Sequence, residues 1–302
     1  MRRGLGTIIV AAALGASLVS CGGSTAPSSP TGSGTQLAVV GTENFYADLL
    51  AQIGPDVRVS SLLNDPNADP HAFETSPQAA ALVADARLVI VNGIGYDDFM
   101  QQLLSASPDP TRIVINVQQL LGVADDVNAH VWYDPTTMQR VAVAATTALG
   151  QLEPPQAFNL SMNMRAYQAA LLPLTAEITL LRNQFGGSPV AVTEPVAGYV
   201  TDAAGLRVLT PAGFQKAVEE GTDPAPVDVA AMEDLLNGRQ VKVLIYNSQV
   251  TTPITQRMRD LAVADGIPVV GVSETMPPAY AHYAAWQLAQ LQALQAALAQ
   301  GS

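Results

Sequence analysis

The sequence predicts an α/β fold with two lobes, each built on a mainly parallel sheet, bridged by one long helix. Three observations carry this reading. Short apolar runs alternate with helical stretches in both halves of the chain. The segment between Pro155 and Phe185 has helical periodicity and no strand pattern. The chain has 302 residues, enough for two domains with a core in each.

The first half runs strand, helix, strand from Leu37. LAVVG (37–41) is a buried strand, and ENFYADLLAQIG (43–54) is a helix stopped by Gly54. Strands follow at 57–63, 87–93 and 112–117, separated by helices at 77–86 and 97–106. Asp134 and Pro135 then open a helix to about Leu149, with Asp134 as N-cap and Pro135 at its first position. Strands this short and apolar, alternating with helices, belong in a parallel sheet covered on both faces.

Tyr167, Leu171, Leu174, Ile178 and Leu181 then mark one face of a single helix. At 1.5 Å per residue, ~30 residues make it ~45 Å long, more than one lobe needs. Gly186 and Gly187 end it. Strands resume with PVAVT (189–193), VKVLIY (241–246) and PVVGVS (268–273), and a last helix starts near Ala279. No period of 20–50 residues repeats, which excludes a solenoid.

Composition narrows the function. Apolar residues make up 48% of the chain and charged ones 13%, the reverse of a disordered protein. The net charge is −12, and −14 once the first twenty residues are removed. Such a surface repels nucleic acid and attracts cations. One cysteine, Cys21, allows neither an internal disulfide nor a Cys-rich metal site.

That cysteine has another use. Arg2 and Arg3 precede an apolar run from Leu5 to Val19, a secretory signal too short to span a bilayer comfortably. Leu18-Val19-Ser20-Cys21 resembles the lipobox of bacterial lipoproteins, in which the signal is cut before a lipidated cysteine. The Gly/Ser/Pro-rich stretch 22–35 is a flexible tether. The expected organisation is a signal peptide (1–20), lipidated Cys21 with tether (21–35), first lobe (36–150), connecting helix (151–187) and second lobe (188–302). The protein is expected outside the cytoplasm, anchored to the bacterial membrane and monomeric.

Four residues are candidate metal ligands. His71 lies in the Pro- and Asn-rich loop after the second strand, where open α/β sheets place their sites. His130 stands in AHVWYDP, ahead of the Asp134 helix. Either histidine taken alone reads as a surface or capping residue. Glu194 and Glu274 each follow an apolar strand, with a proline within three residues. A carboxylate there must be paired, coordinated or protonated, or else it caps the following turn. His282, among Tyr280, Tyr283 and Trp286, reads as a packing or surface residue. NGIGYDD (92–98) lacks the third glycine of a dinucleotide loop, and no Gly-x-Ser-x-Gly elbow occurs. No catalytic residue and no organic cofactor is assigned.

At these residues the chain resembles the metal-binding receptors of bacterial ABC importers for zinc and manganese, including the manganese-binding adhesin lipoproteins. The resemblance covers 36–302. It rests on the order of ENFYADLLAQIG, DPNADPHAFE, VADARLVIVNGIGYDDF, AHVWYDP, VTEPVAGYV, GFQKAVEEGTDPAP, VLIYNSQ and PVVGVSETMPP. It implies two α/β lobes on a rigid helix, with one divalent metal ion, Mn²⁺ or Zn²⁺, bound as cargo. It maps the ligands onto His71 and His130 from the first lobe and Glu194 and Glu274 from the second. It also implies an ABC permease as partner, besides the lipid bilayer. Two departures bear on the metal: GVADDVNA (122–129) holds none of the histidines that zinc members often carry there, and Glu274 stands where aspartate is frequent. Two imidazoles with two carboxylates lean towards manganese relative to an all-nitrogen site, although zinc binds more tightly at most such sites. Two other functions are compatible with such ligands: a metal-dependent hydrolase, which needs an open coordination position and a base, and a surface adhesin with a structural metal.

Overall fold

The computed structural model describes residues 36–66, 70–134 and 136–300, without the side chain of His71. The signal segment, Cys21 and the tether lie outside the described residues. The first half contains β1 (Ala38–Glu43), α1 (Asn44–Ile53), β2 (Arg58–Leu63), α2 (Pro77–Asp85), β3 (Leu88–Val91), α3 (Phe99–Ala106), β4 (Ile113–Asn116), α4 (Val117–Leu121) and α5 (Thr137–Leu152). Next come α6 (Ala157–Ala170) and α7 (Leu172–Phe185). The second half contains β5 (Pro189–Val192), α8 (Gly198–Ala203), β6 (Arg207–Val208), α9 (Ala212–Glu219), α10 (Pro226–Asn237), β7 (Leu244–Asn247), α11 (Pro253–Ala264), β8 (Val269–Val272) and α12 (Tyr283–Gln300).

Every strand pair is parallel. The two sheets run β2-β1-β3-β4 and β6-β5-β7-β8, so the halves share one strand order that no sequence period announces. In each sheet the order reverses beside the first strand of the half, between β1 and β3 and between β5 and β7. The crevice beyond the carboxyl ends of such a pair is where open sheets receive ligands. The central strands β1, β3 and β7 are buried at every position, as continuous apolar runs require when helices cover both faces.

Two expectations change. The bridge is two helices, because Pro173 occupies the second position of α7. Proline has no N–H to donate, and its ring clashes with the carbonyl four residues back, that of Ala169. The helix therefore closes at Leu171 and restarts. The Asp134 helix starts later than expected, after a 3₁₀ turn over Val131–Tyr133. Asp134 still serves that end, accepting from the Thr136 backbone N–H at 2.8 Å and its hydroxyl at 2.9 Å.

The lobes are not packed independently. One apolar cluster includes Val39 and Ile90 of the first sheet and Val192, Ile245 and Val270 of the second. At its centre Phe45 of α1 stacks on Trp132 (centroids 4.7 Å apart) and lies 6.1 Å from Trp286 of α12. The Tyr133 hydroxyl donates to the Ser273 carbonyl, and that of Tyr283 to the Trp132 carbonyl at 2.5 Å. Asn44 of α1 exchanges two hydrogen bonds with the Met276 backbone. Among the described residues no helix is long and apolar enough to cross a membrane.

Candidate metal centre

The parallel strands deliver their carboxyl ends to one region. Glu194 lies two residues past β5 and Glu274 two past β8, and both are buried. His130 enters from the first half on the 3₁₀ turn before α5 and is wholly buried. The three converge. His130 Nε2 lies 3.3 Å from Glu274 Oε2. Asn247, the last residue of β7, donates from Nδ2 to Glu194 Oε2 at 3.0 Å and to Glu274 Oε1 at 2.7 Å. Its orientation is fixed at the other end, where Oδ1 accepts the Gln249 backbone N–H. Gln249 in turn pins the Glu274 turn, its Oε1 accepting from the N–H groups of Glu274 and Thr275.

His71 occupies the 3₁₀ turn Pro70–Ala72 after β2. Its side chain, and residues 67–69 before it, lie outside the described residues. Among the described residues no three His, Asp, Glu or Cys side chains stand close enough together to hold a metal ion. His282 is elsewhere: its Nδ1 pairs with Asp48 Oδ1 of α1 at 2.9 Å, and the ring is half exposed.

Several partners were not singled out in the sequence. Tyr96 donates its hydroxyl to Glu274 Oε2 at 2.9 Å. Burial and the Glu274 charge push its ionisation well above the usual phenol range, so it stays a donor. Its loop is strained: Gly93, Ile94 and Gly95 all have positive φ, at 76°, 58° and 75°. For a β-branched residue such as Ile94 that is a genuine outlier. The loop is held by Asp97, whose carboxylate accepts the N–H groups of Asn92 and Gly93, and by Gln118, which accepts that of Ile94. NGIGYDD thus sets a tyrosine against Glu274, where its glycines suggest only a poor dinucleotide loop.

Near Tyr96 lies a further buried acid, Glu43, at the end of β1. Burial and the neighbouring Asp97 push its carboxyl well above the usual range. Burial likewise pushes Asp97 up to about 6. On the open side a cleft of about 590 Å³ is lined by Ala72, Tyr96, Ala129 and Glu219. Glu219 Oε1, at the end of α9, lies 3.7 Å from His130 Nδ1. The arrangement sets the His130 imidazole against Glu274, with Glu194 tied in through Asn247, donor types that suit a divalent cation.

Comparison with known proteins agrees on the fold. The profile of the family described as "ZnuA: Zinc-uptake complex component A periplasmic" matches residues 39–297. The zinc-binding protein TroA of Treponema pallidum is 24% identical over 238 residues, 76% of this chain and 75% of that protein. The manganese-binding lipoprotein MntA of Halalkalibacterium halodurans is 24% identical over 150 residues, 49% of each chain. The curated relatives are covered over 34% to 75% of their own length. Among solved structures, TroA superposes with a TM-score of 0.74 at 21% identity, covering 87% of this chain and 99% of that one. FpvC of Pseudomonas aeruginosa, solved with Mn²⁺, gives 0.73 at 21% identity, covering 88% and 100%. With its profile matched along most of its length, the chain belongs to the ZnuA family of periplasmic zinc-uptake components.

Proposed function

We propose that the protein is an extracytoplasmic receptor that captures one divalent transition-metal ion, Mn²⁺ or Zn²⁺, between its two lobes and delivers it to an ABC permease. The convergence of wholly buried His130 and Glu274 from opposite halves, with Glu194 tied to Glu274 through Asn247, carries this reading. Family membership and the metals in the names of TroA, MntA and FpvC support it. In this reading His71, His130, Glu194 and Glu274 bind the ion, and the two carboxylates balance its charge. The lobes are 36–150 and 188–302, joined through 151–187. Cys21 carries the lipid that holds the protein at the membrane, and the chain acts as a monomer without catalytic chemistry. Native mass spectrometry with competing Zn²⁺ and Mn²⁺ tests the proposal: one ion per chain is expected, and no bound ion of either kind overturns it.

A further inference from the structure

The hydrogen bonds of Asn128 leave its side chain only one orientation. Asn128 Oδ1 lies 3.0 Å from the His130 backbone N–H, a group that can only donate. Asn128 Nδ2 lies 2.7 Å from the Pro195 carbonyl, which can only accept. Oxygen therefore faces His130 and nitrogen faces Pro195; exchanging them would break both bonds. The same Oδ1 stands 2.8 Å from His130 Nδ1. Facing an acceptor, Nδ1 must carry a proton. In the neutral ring the lone pair is then on Nε2, the atom turned to Glu274.

We infer that Asn128 is a positioning residue that fixes the tautomer of His130 and ties it to the turn carrying Glu194. Resting on the metal-receptor reading, this adds the device that prepares one ligand of the first half against one of the second. The tie to the second half is double. Besides the Pro195 bond, the Asn128 carbonyl accepts the Tyr199 hydroxyl at 2.8 Å. Space for the amide comes from Gly198, where a Cβ would stand 2.7 Å from Asn128 Nδ2. A ligating imidazole held through its other nitrogen spends no binding energy on selecting tautomer or ring orientation.

The test combines ¹⁵N NMR of the imidazole rings, in the metal-free and zinc-loaded chain, with competition titration of Zn²⁺. In the unsubstituted protein Nδ1 of His130 is expected to be protonated in both states. Asn128→Ala should lose that preference and bind zinc ~10–100-fold more weakly, the usual effect of losing such a partner. Asn128→Asp, which keeps an acceptor beside Nδ1, should keep the proton there. Gly198→Ala, which touches only the Asn128 amide, should also weaken zinc binding. An unprotonated Nδ1 in the unsubstituted protein overturns the inference, as does an Asn128→Ala chain with unchanged tautomer and affinity. A chain that binds neither Zn²⁺ nor Mn²⁺ overturns the receptor reading instead, while the metal-free spectra still decide the role of Asn128.

Discussion

His130 Nε2 and Glu274 Oε2 meet at 3.3 Å although 144 positions separate them in the chain, and neither side chain touches solvent. The pair crosses from one half of the molecule to the other. Burying an imidazole against a carboxylate is costly unless a proton or a cation lies between them. A metal ion bound there would bear on the packing between the lobes as well as on the site.

The carboxylates should set affinity and metal choice. Glu194→Gln and Glu274→Gln each remove one negative charge while keeping side-chain size, so both should weaken binding with little change in the metal-free fold. Glu194→His should raise the Zn/Mn selectivity ratio, because nitrogen donors favour zinc over manganese. His282→Ala should leave affinity unchanged, since that ring pairs with Asp48 outside the cleft. Competition titration at fixed pH and salt compares the four; a lowered ratio for Glu194→His, or lost binding for His282→Ala, would show the ligand assignment to be wrong.

Asn247 ties two buried carboxyl groups to one amide. Its amide bridges Glu194 and Glu274, so Asn247→Ala should weaken Mn²⁺ and Zn²⁺ binding ~10–100-fold, the range for groups that orient metal ligands. Asn247→Asp should be worse than Asn247→Ala in the metal-free state, since it adds a third carboxylate to the cluster. Calorimetric titration and thermal unfolding of both variants check this. Equal unfolding temperatures would count against the bridging role.

Glu43 and Asp97 give stability a definite pH dependence. Both carboxyls are harder to ionise in the fold than in the unfolded chain, Glu43 through burial and then Asp97, and Asp97 through burial. Between the ordinary carboxyl range and the raised values, the folded state therefore holds more protons. Stability from these groups is fully present below about pH 4 and falls as pH rises through about 6 and beyond, by ~1 kcal/mol per pH unit for each group inside its window. Glu43→Gln, which needs no proton to stay neutral, should gain stability over the unsubstituted protein at pH 7.5 and lose most of that gain at pH 4. Chemical denaturation at the two pH values measures it; a gain independent of pH would contradict the assignment.

Anchoring should depend on one sulfur. Cys21→Ala should leave the signal uncut by the lipoprotein route and the protein without lipid. Fractionation of cells fed a labelled fatty acid tests this, and label retained on the variant would refute lipidation at Cys21.

The sequence by itself determined the class of fold and the places where ligands could come from. Runs such as LVIV at 88–91 and LIYN at 244–247 are too apolar for a sheet with a wet face, and the helices between them leave only parallel pairing. Glu194 and Glu274 were legible because a charge ending such a run has to be compensated, and strand ends in a parallel sheet share one edge. The break in the bridge comes from Pro173, but the periodicity of Tyr167 to Leu181 continues through it and predicts a single helix. Only the tertiary structure decided which groups meet. Strand order within each sheet, the Phe45–Trp132–Trp286 stack, the bridging of two carboxylates by Asn247, and the reach of Asn128 to Pro195 all join residues dozens to hundreds of positions apart. Local periodicity records which face of an element is buried, not what lies against it. Polar side chains such as Tyr96, Asn128 and Asn247 acquire their roles only when the packed lobes withdraw water and leave each donor and acceptor to find a partner in the protein.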